Sequence, residues 1–464
     1  MNVNEIRVLE KFTIDNYNYV IDKISERKKS YFSNLIISSG LAALAFSKMQ
    51  SITNSADLII YSLKFCWILP LPIFVLSNVG KYNLISKEDL FLEPEKIITE
   101  ARSKQYMIIF QIVTKGTNIK ALERSILSVK YWISKIKEKY HYDINSEIWL
   151  VVDEEYKDNV EHLIDGNVRL IEIPRDFTTK KDTKYKARAL EYANLIRRKL
   201  GLNKANVWVY HQDEETCVGE DTIMGILEFA NKGNKHIGCG MIIYPLDWKN
   251  EVTYAEEMLR SADDLRLLSL IKQGKLPFGY HGSHFLTRAD IEDEIGWDFG
   301  ENRAEDMLFY LNAQKKSKEL GLLKGFAYEK APQNVIDFLK QRSRWIKGAF
   351  DTLKSRELNI REKPIIIYSI LLWYLAIPSI AVSILSIFFP GGISPYLGFI
   401  SGFVWYSLID NYRIGYEMNA NYIEGEIDIR KLIFNMVKGA ILEAIAPWYS
   451  LFKKTKEFEI IKKD

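Results

Sequence analysis

The sequence predicts an α/β domain on a mainly parallel sheet, flanked on both sides by transmembrane helices. Three observations carry this. Between about residues 100 and 350, short apolar runs alternate with helical patterns, as strand–helix–strand crossovers onto a parallel sheet require. Long apolar runs precede and follow that region. The turns closing the short runs collect acidic and basic residues, and ligands of such sheets bind at the carboxyl ends of the strands.

The first 30 residues are polar and mixed in charge and read as a tail with no cleavable signal. Residues 31–47 are just long enough to cross a bilayer as a helix, which takes roughly 17–25 residues. A second run, 57–79, contains Lys64, Pro70 and Pro72. Residues 1–99 are therefore assigned to the tail and two spans. Strands are expected at 106–113, 147–152, 168–173, 206–210 and 237–243, with helices at 117–138 and 184–200. A helical stretch at 333–353 closes the domain assigned to residues 100–353. The part assigned to 354–464 holds the uncharged run 364–389, a further run at 393–409 after a Pro-Gly-Gly turn, and a basic tail. Residues 432–452 carry Lys438 and Glu443. A charge in mid-bilayer costs about 2.5–3.5 kcal/mol, so this stretch reads as amphipathic or re-entrant, with a spanning helix as the alternative. The links 48–56 and 390–392 are nearly free of Lys and Arg, whereas the middle and both tails are rich in them. The positive-inside rule then places the middle region in the cytoplasm.

Composition narrows the function. Of 464 residues, 47% are hydrophobic and 27% charged, and a net charge of +3 is too small for a nucleic-acid binder. The three cysteines, Cys66, Cys217 and Cys239, show no C-x-x-C spacing, which argues against a disulfide framework or structural zinc.

Six features carry possible chemistry. Thr114-Lys115-Gly116 and Asp153-Glu154-Glu155 follow the first two strands, where a nucleotide would lie; each alone is also what a polar turn would show. No G-x-G-x-x-G marks the first strand–helix turn, against a dinucleotide cofactor. Lys186 and Arg188 open a helix, a place suited to a diphosphate and equally to a solvated basic face. Asp213-Glu214-Glu215 follow an apolar strand directly. Asp213 and Glu215, two apart, can face one ion, and oxygen ligands suit Mg²⁺ or Mn²⁺ with substrate phosphates completing the shell; the alternative is an acidic loop. Glu305-Asp306 open an apolar helical run, where Asp306 serves either as N-cap or as general base. In Gln341-Arg342-Ser343-Arg344-Trp345, Arg344 can clamp phosphate and Trp345 stack on a sugar face, or the two can anchor a membrane edge.

In this order and spacing the set resembles the membrane-bound glycosyltransferases of family 2, over roughly residues 104–353. Within that family the wording TKYKARALEYA, HQDEETCVGEDTIMGI, AEDMLFYL and YEKAPQNVIDFLKQRSRWIKGAF is most similar to the egghead-type β-1,4-mannosyltransferases and their archaeal relatives. The resemblance implies a GT-A-type, Rossmann-like domain and assigns roles. Asp213 and Glu215 would be the metal pair, the second acid being Glu where many members have Asp. Asp306 would be the catalytic base, with Glu305 beside it. Gln341, Arg344 and Trp345 would contact the diphosphate and the acceptor. Thr114, Lys115, Gly116 and Asp153 would line the nucleotide site, with Lys186 and Arg188 near its base or phosphates. Gly282, Ser283 and His284 match a stretch that precedes a strand in relatives, and His284 would either touch the acceptor or be a surface histidine. The implied reaction is a single inverting displacement that gives a β-linkage. The implied donor is a nucleotide sugar, with GDP-mannose the best guess, and the implied acceptor a lipid-linked sugar or glycolipid at the cytoplasmic face of the cell membrane. Two rivals stand beside it: a processive polysaccharide synthase of the cellulose or hyaluronan type, for which about four spans are few, and a catalytically dead nucleotide-sugar-binding protein, for which the retained acids are unexpected.

Overall fold

The computed structural model describes residues 3–26, 28–47, 55–84, 86–246, 250–273, 280–388, 394–423 and 428–453. The expected link 390–392, most of the link 48–56, part of the loop 277–281 and the basic tail beyond Lys453 lie outside them.

Eight strands form one sheet: β1 Met107–Thr114, β2 Ser146–Asp153, β3 Val168–Ile173, β4 Val207–Asp213, β5 Cys217–Val218, β6 Ile237–Leu246, β7 Phe285–Arg288 and β8 Leu320–Lys330. Their order is β3-β2-β1-β4-β7-β6-β8-β5. β1 pairs in parallel with β2 and β4, and β2 with β3. The connections are helical, Ile119–Tyr140 between β1 and β2 and Tyr185–Lys199 between β3 and β4. β1, β2 and β4 are mostly apolar and buried, as a sheet covered on both faces demands.

The other half of the sheet departs from the expectation of a mainly parallel sheet. β7 runs antiparallel between β4 and β6, and β5 runs antiparallel to β8, so the sheet is mixed. The cause is the route of the chain after β6. It passes through the helix Glu251–Lys272 and comes back at Tyr280–His284. There Phe285 stands opposite His211, near the end of β4, and Cys239, near the start of β6, so β7 enters from the carboxyl-end side of β4 and runs back antiparallel to both strands.

Residues 3–26 are not a loose tail. The helix Ile14–Glu26 buries Ile14, Tyr17, Val20, Ile21 and Ile24. Phe12 stacks on Tyr328 of β8 with ring centroids 3.6 Å apart, and Tyr17 donates to the Leu90 carbonyl at 2.9 Å.

The apolar runs are helices. Residues 31–47 lie in Lys28–Ser47, while 57–79 break into Ser55–Lys64, a short 3₁₀ turn Phe65–Ile68 and Leu71–Leu84. Lys363–Phe388 and Pro395–Ala420 follow the sheet domain. Among the described residues two stretches, Ser55–Lys81 and Lys363–Ser386, are long and apolar enough to cross a membrane, and Tyr31–Ala45 is a shorter apolar helix. Outward positions on these helices carry Ile36, Ile37, Leu58, Ile59, Ile367 and Ile384. Residues 432–452 belong to one continuous helix, Ile429–Phe452. Ile433, Val437, Ile441 and Ile445 are exposed along one side of it, at the four-residue spacing of a helical stripe. Glu443 instead faces inward to Arg342, with Oε2 2.7 Å from Nε.

Candidate active site

The carboxyl ends of β1, β2 and β4 meet at one edge of the sheet. At β1 the Thr114 hydroxyl accepts from the Gly116 amide at 2.8 Å and donates to Glu214 at 2.5 Å, and Asn118 donates to the other oxygen of Glu214 at 2.5 Å. Burial, then the charge of Glu215, pushes the Glu214 carboxyl up to about 7. Glu214 is thus turned toward β1. At β2, Asp153 pairs with Arg188 at 2.5 Å, and Arg188 also donates to the carbonyls of Phe177 and Pro174 at 3.0 and 2.8 Å.

At β4 the ammonium of Lys186 binds Asp213 directly and lies 3.4 Å from the Gly282 carbonyl oxygen. Burial pulls the Lys186 pKa down, but Asp213, Glu305 and Asp306 outweigh it and hold the amine charged. Asp306 lies in the first turn of the helix Glu305–Lys315, where its Oδ1 accepts from the Met307 amide at 2.8 Å. Burial raises the Asp306 carboxyl above the ordinary carboxylate range, and the Met307 amide and Lys186 recover only part of that shift. Its neighbour Glu305 is pushed up to about 7 by burial and by Asp306. Gly282 separates Asp306 from the lysine: a Cβ there would sit 3.4 Å from both Asp306 Oδ2 and Lys186 Nζ.

Thr114, Asp153, Lys186, Arg188, Asp213, Glu214, Gly282, Glu305 and Asp306 open into one cavity of about 980 Å³, which also takes in Gln341, Arg344 and Trp345 from the helix Val335–Lys354. Of the sequence-predicted residues, Thr114, Lys115, Asp153, Lys186, Arg188, Asp213, Glu215, Gly282, Ser283, Glu305, Asp306, Gln341, Arg344 and Trp345 line it. Gly116 does not. It holds the β1 turn at φ +64°, with the Val160 and Asn159 side chains packed against it.

His284 is the clear correction. It is fully buried in the domain core rather than facing an acceptor. Nδ1 meets the Tyr210 hydroxyl at 2.8 Å and Nε2 meets the Gly325 carbonyl oxygen at 3.1 Å, and burial lowers its pKa to about 3. The cavity histidine is His281, with Nε2 3.5 Å from Asp264.

Several supporting residues escaped the sequence reading. Arg342, within the Gln341–Trp345 motif, donates to Gln341 at 2.7 Å and to Glu257 at 2.8 Å. Its guanidinium lies between the rings of Phe338 and Trp345, 4.1 and 4.2 Å from their centroids. Glu329, on β8, accepts from Thr216 and Ser283, each at 2.8 Å. Beneath β4, Glu292 pairs with Arg197 at 2.7 Å and His211 at 3.3 Å. Burial alone would raise the Glu292 pKa, yet these two neighbours take it to about 2. Only the neighbouring position of Arg342 in its motif gave any signal.

Among the described residues no group of three or more His, Cys, Asp or Glu side chains is placed to hold a metal ion by itself. The donor set fits Mg²⁺ or Mn²⁺ in another way. Asp213 and Glu215 present hard oxygens into the cavity, and such ions are commonly bound by one or two carboxylates plus substrate phosphates.

A parallel-stranded edge, a cluster of strand-end acids and a buried carboxylate across the same cavity define a group-transfer site of the α/β type. Residues 208–412 match the model of "Glycosyl transferase family group 2". The chain is homologous to two named mannosyltransferases. Beta-1,4-mannosyltransferase bre-3 of Caenorhabditis elegans is 27% identical over 87% of this chain and 88% of its own length. Beta-1,4-mannosyltransferase egh of Drosophila melanogaster is 25% identical over 88% of each. The resemblance drawn from the motifs is thereby borne out. Among solved structures, S. aureus TarS 1-349 in complex with UDP-GlcNAc superimposes with a TM-score of 0.31 at 13% identity, covering 56% of this chain and 70% of that one, too distant to carry an argument.

Proposed function

We propose that this protein is an inverting glycosyltransferase that moves mannose from GDP-mannose to a lipid-linked or glycolipid acceptor at the cytoplasmic face of the cell membrane, forming a β-linkage. The observation that carries the reading is Asp306. It is a carboxylate of raised pKa, across Gly282 from Lys186, in the same cavity as the strand-end acids and Arg344. A base is most efficient when its pKa approaches the working pH, and burial moves Asp306 in that direction.

In this reading Asp306 takes the proton from the acceptor hydroxyl as that oxygen attacks the anomeric carbon. Arg344 meets the charge that builds on the leaving diphosphate, the kind of fixed electrostatic contact that contributes most in such sites. Lys186 holds Asp213 in position. Thr114, Lys115, Asp153 and Arg188 bind the nucleotide end and Gln341 the diphosphate, while Trp345, Glu305, Gly282 and Ser283 face the acceptor. Asp213 and Glu215, with oxygens of the diphosphate, would hold Mg²⁺ or Mn²⁺, which when bound supplies neutralisation of the leaving group. The names of the two relatives support mannose and the β-1,4 linkage. The two long apolar helices, the outward apolar side chains and the basic middle region support a membrane protein with its site inside the cell.

The test is a donor-release screen. Purified full-length protein is incubated with GDP- and UDP-sugars and lipid extract, and the product linkage is read by NMR. Release of GDP from GDP-mannose, dependent on the extract, with a single β-linked mannose is the expected outcome. An α-linkage, a polymer, or consumption of UDP-sugars alone would overturn the reading.

A further inference from the structure

The cavity does not end at the acids. Its lining also includes Pro70, Ile73 and Phe74 from one apolar segment and Ile370, Trp373 and Ala376 from another. These two sets lie on the two stretches long and apolar enough to cross a membrane. The break at Phe65–Leu69 explains why a space opens there. Before the break, Ser55–Lys64 packs against Lys363–Phe388; after it, Leu71–Leu84 packs against Glu251–Lys272 instead. Tyr368 donates to the Leu69 carbonyl at 2.6 Å and ties the helices together at the break. A polar chamber holding a base is therefore continuous with an apolar cleft between two helices that present apolar side chains outward.

We infer that this cleft is a subsite for the hydrocarbon chain of the acceptor, which lies between Leu71–Leu84 and Lys363–Phe388 while its sugar reaches Asp306. The inference rests on the glycosyltransferase reading above and adds the position of the lipid. Water in such a cleft would face apolar carbon on both sides, and polar bridging water needs polar partners; a hydrocarbon chain needs none. Each methylene buried there contributes roughly a fourfold gain in affinity, so a chain of moderate length dominates binding of a single sugar. The site then takes its acceptor from within the lipid layer.

The test uses hexadecyl β-glucoside with a diazirine at the chain terminus, photolysed with the full-length protein in phosphatidylcholine nanodiscs, and GDP-mannose affinity measured on the same samples. The expected result is labelling of Pro70, Ile73, Phe74, Ile370, Trp373 or Ala376, suppressed at least tenfold by excess unlabelled hexadecyl β-glucoside. Ala376→Trp and Ile73→Trp, which fill the cleft from opposite walls, should each reduce the labelling at least tenfold with donor affinity retained. Leu371→Trp, at an outward position, should leave it unchanged. Labelling confined to outward residues such as Ile367 and Ile384, uncompeted and insensitive to both cleft variants, overturns the subsite. If that occurs with GDP-mannose still bound, the subsite alone fails. If competed labelling persists but no donor binds, the subsite stands and the donor assignment fails. Retained donor affinity in either cleft variant shows that its fold is intact, so one folded variant suffices.

Discussion

His284→Gln separates a core histidine from an acceptor contact. In the fold His284 is neutral, because burial lowers its pKa from 6.5 to about 3. In the unfolded chain it binds a proton below about 6.5. Between these values the unfolded state holds more protons than the folded state, so stability falls as pH falls. The loss is about 1.4 kcal/mol per pH unit, which makes it about 2 kcal/mol at pH 5.0 relative to pH 7.5. Gln lacks the titration and can still accept from Tyr210 and donate to the Gly325 carbonyl, the two contacts His284 makes. Wild type and variant should therefore differ by a constant offset at pH 7.5 that shifts by about 2 kcal/mol in the variant's favour at pH 5.0. Denaturant unfolding of the full chain in detergent, followed by tryptophan fluorescence, reads this directly. Parallel acid sensitivity in the two proteins would refute the buried neutral histidine, and a large rise in acceptor KM for the variant with stability unchanged would restore an acceptor role.

Three other outcomes follow from the site. Asp306→Asn should lower kcat by roughly 10²–10⁴-fold, the range for loss of a positioned base, with donor affinity preserved; near-wild-type turnover would remove Asp306 as the base. Asp213→Ala should abolish the gain in donor affinity on adding Mg²⁺ or Mn²⁺, measured by calorimetry, and an unchanged metal dependence would count against the Asp213–Glu215 pair. Arg342→Met and Glu443→Gln should show a coupling of about 1–3 kcal/mol in a double-mutant cycle on thermal stability, because Arg342 is buried but Glu443 is 25% exposed and partly screened. A coupling near zero would mean that the helix Ile429–Phe452 is not tied to the Gln341–Trp345 motif by this pair.

Much of the fold was legible because its signals are local. β1 to β4 and β6 are short apolar runs closed by turns, and the sequence expectations fall within a few residues of them. β8 escaped because Leu320–Lys330 carries Lys324 amid its apolar residues. That lysine reaches the Phe91 carbonyl and Glu228 at 2.7 and 2.9 Å, partners remote in sequence. The N-terminal helix was passed over because five apolar positions in a polar context gain their meaning only once β8 and the helix Glu220–Lys232 are there to cover them.

The sequence by itself determined the residue types at the strand ends, the order of the motifs and the long apolar helices, since each depends on neighbours a few positions apart. Tertiary structure decided the rest, where partners come from distant segments. It turned Glu214 toward Thr114 and Asn118, placed Lys186 against Asp213, and set Gly282 between Lys186 and Asp306. It also buried His284 and diverted the chain at Phe65–Leu69 so that a cleft opens beside Ile73 and Trp373. Charge pairing and burial act through space, and only the folded chain sets which groups share it.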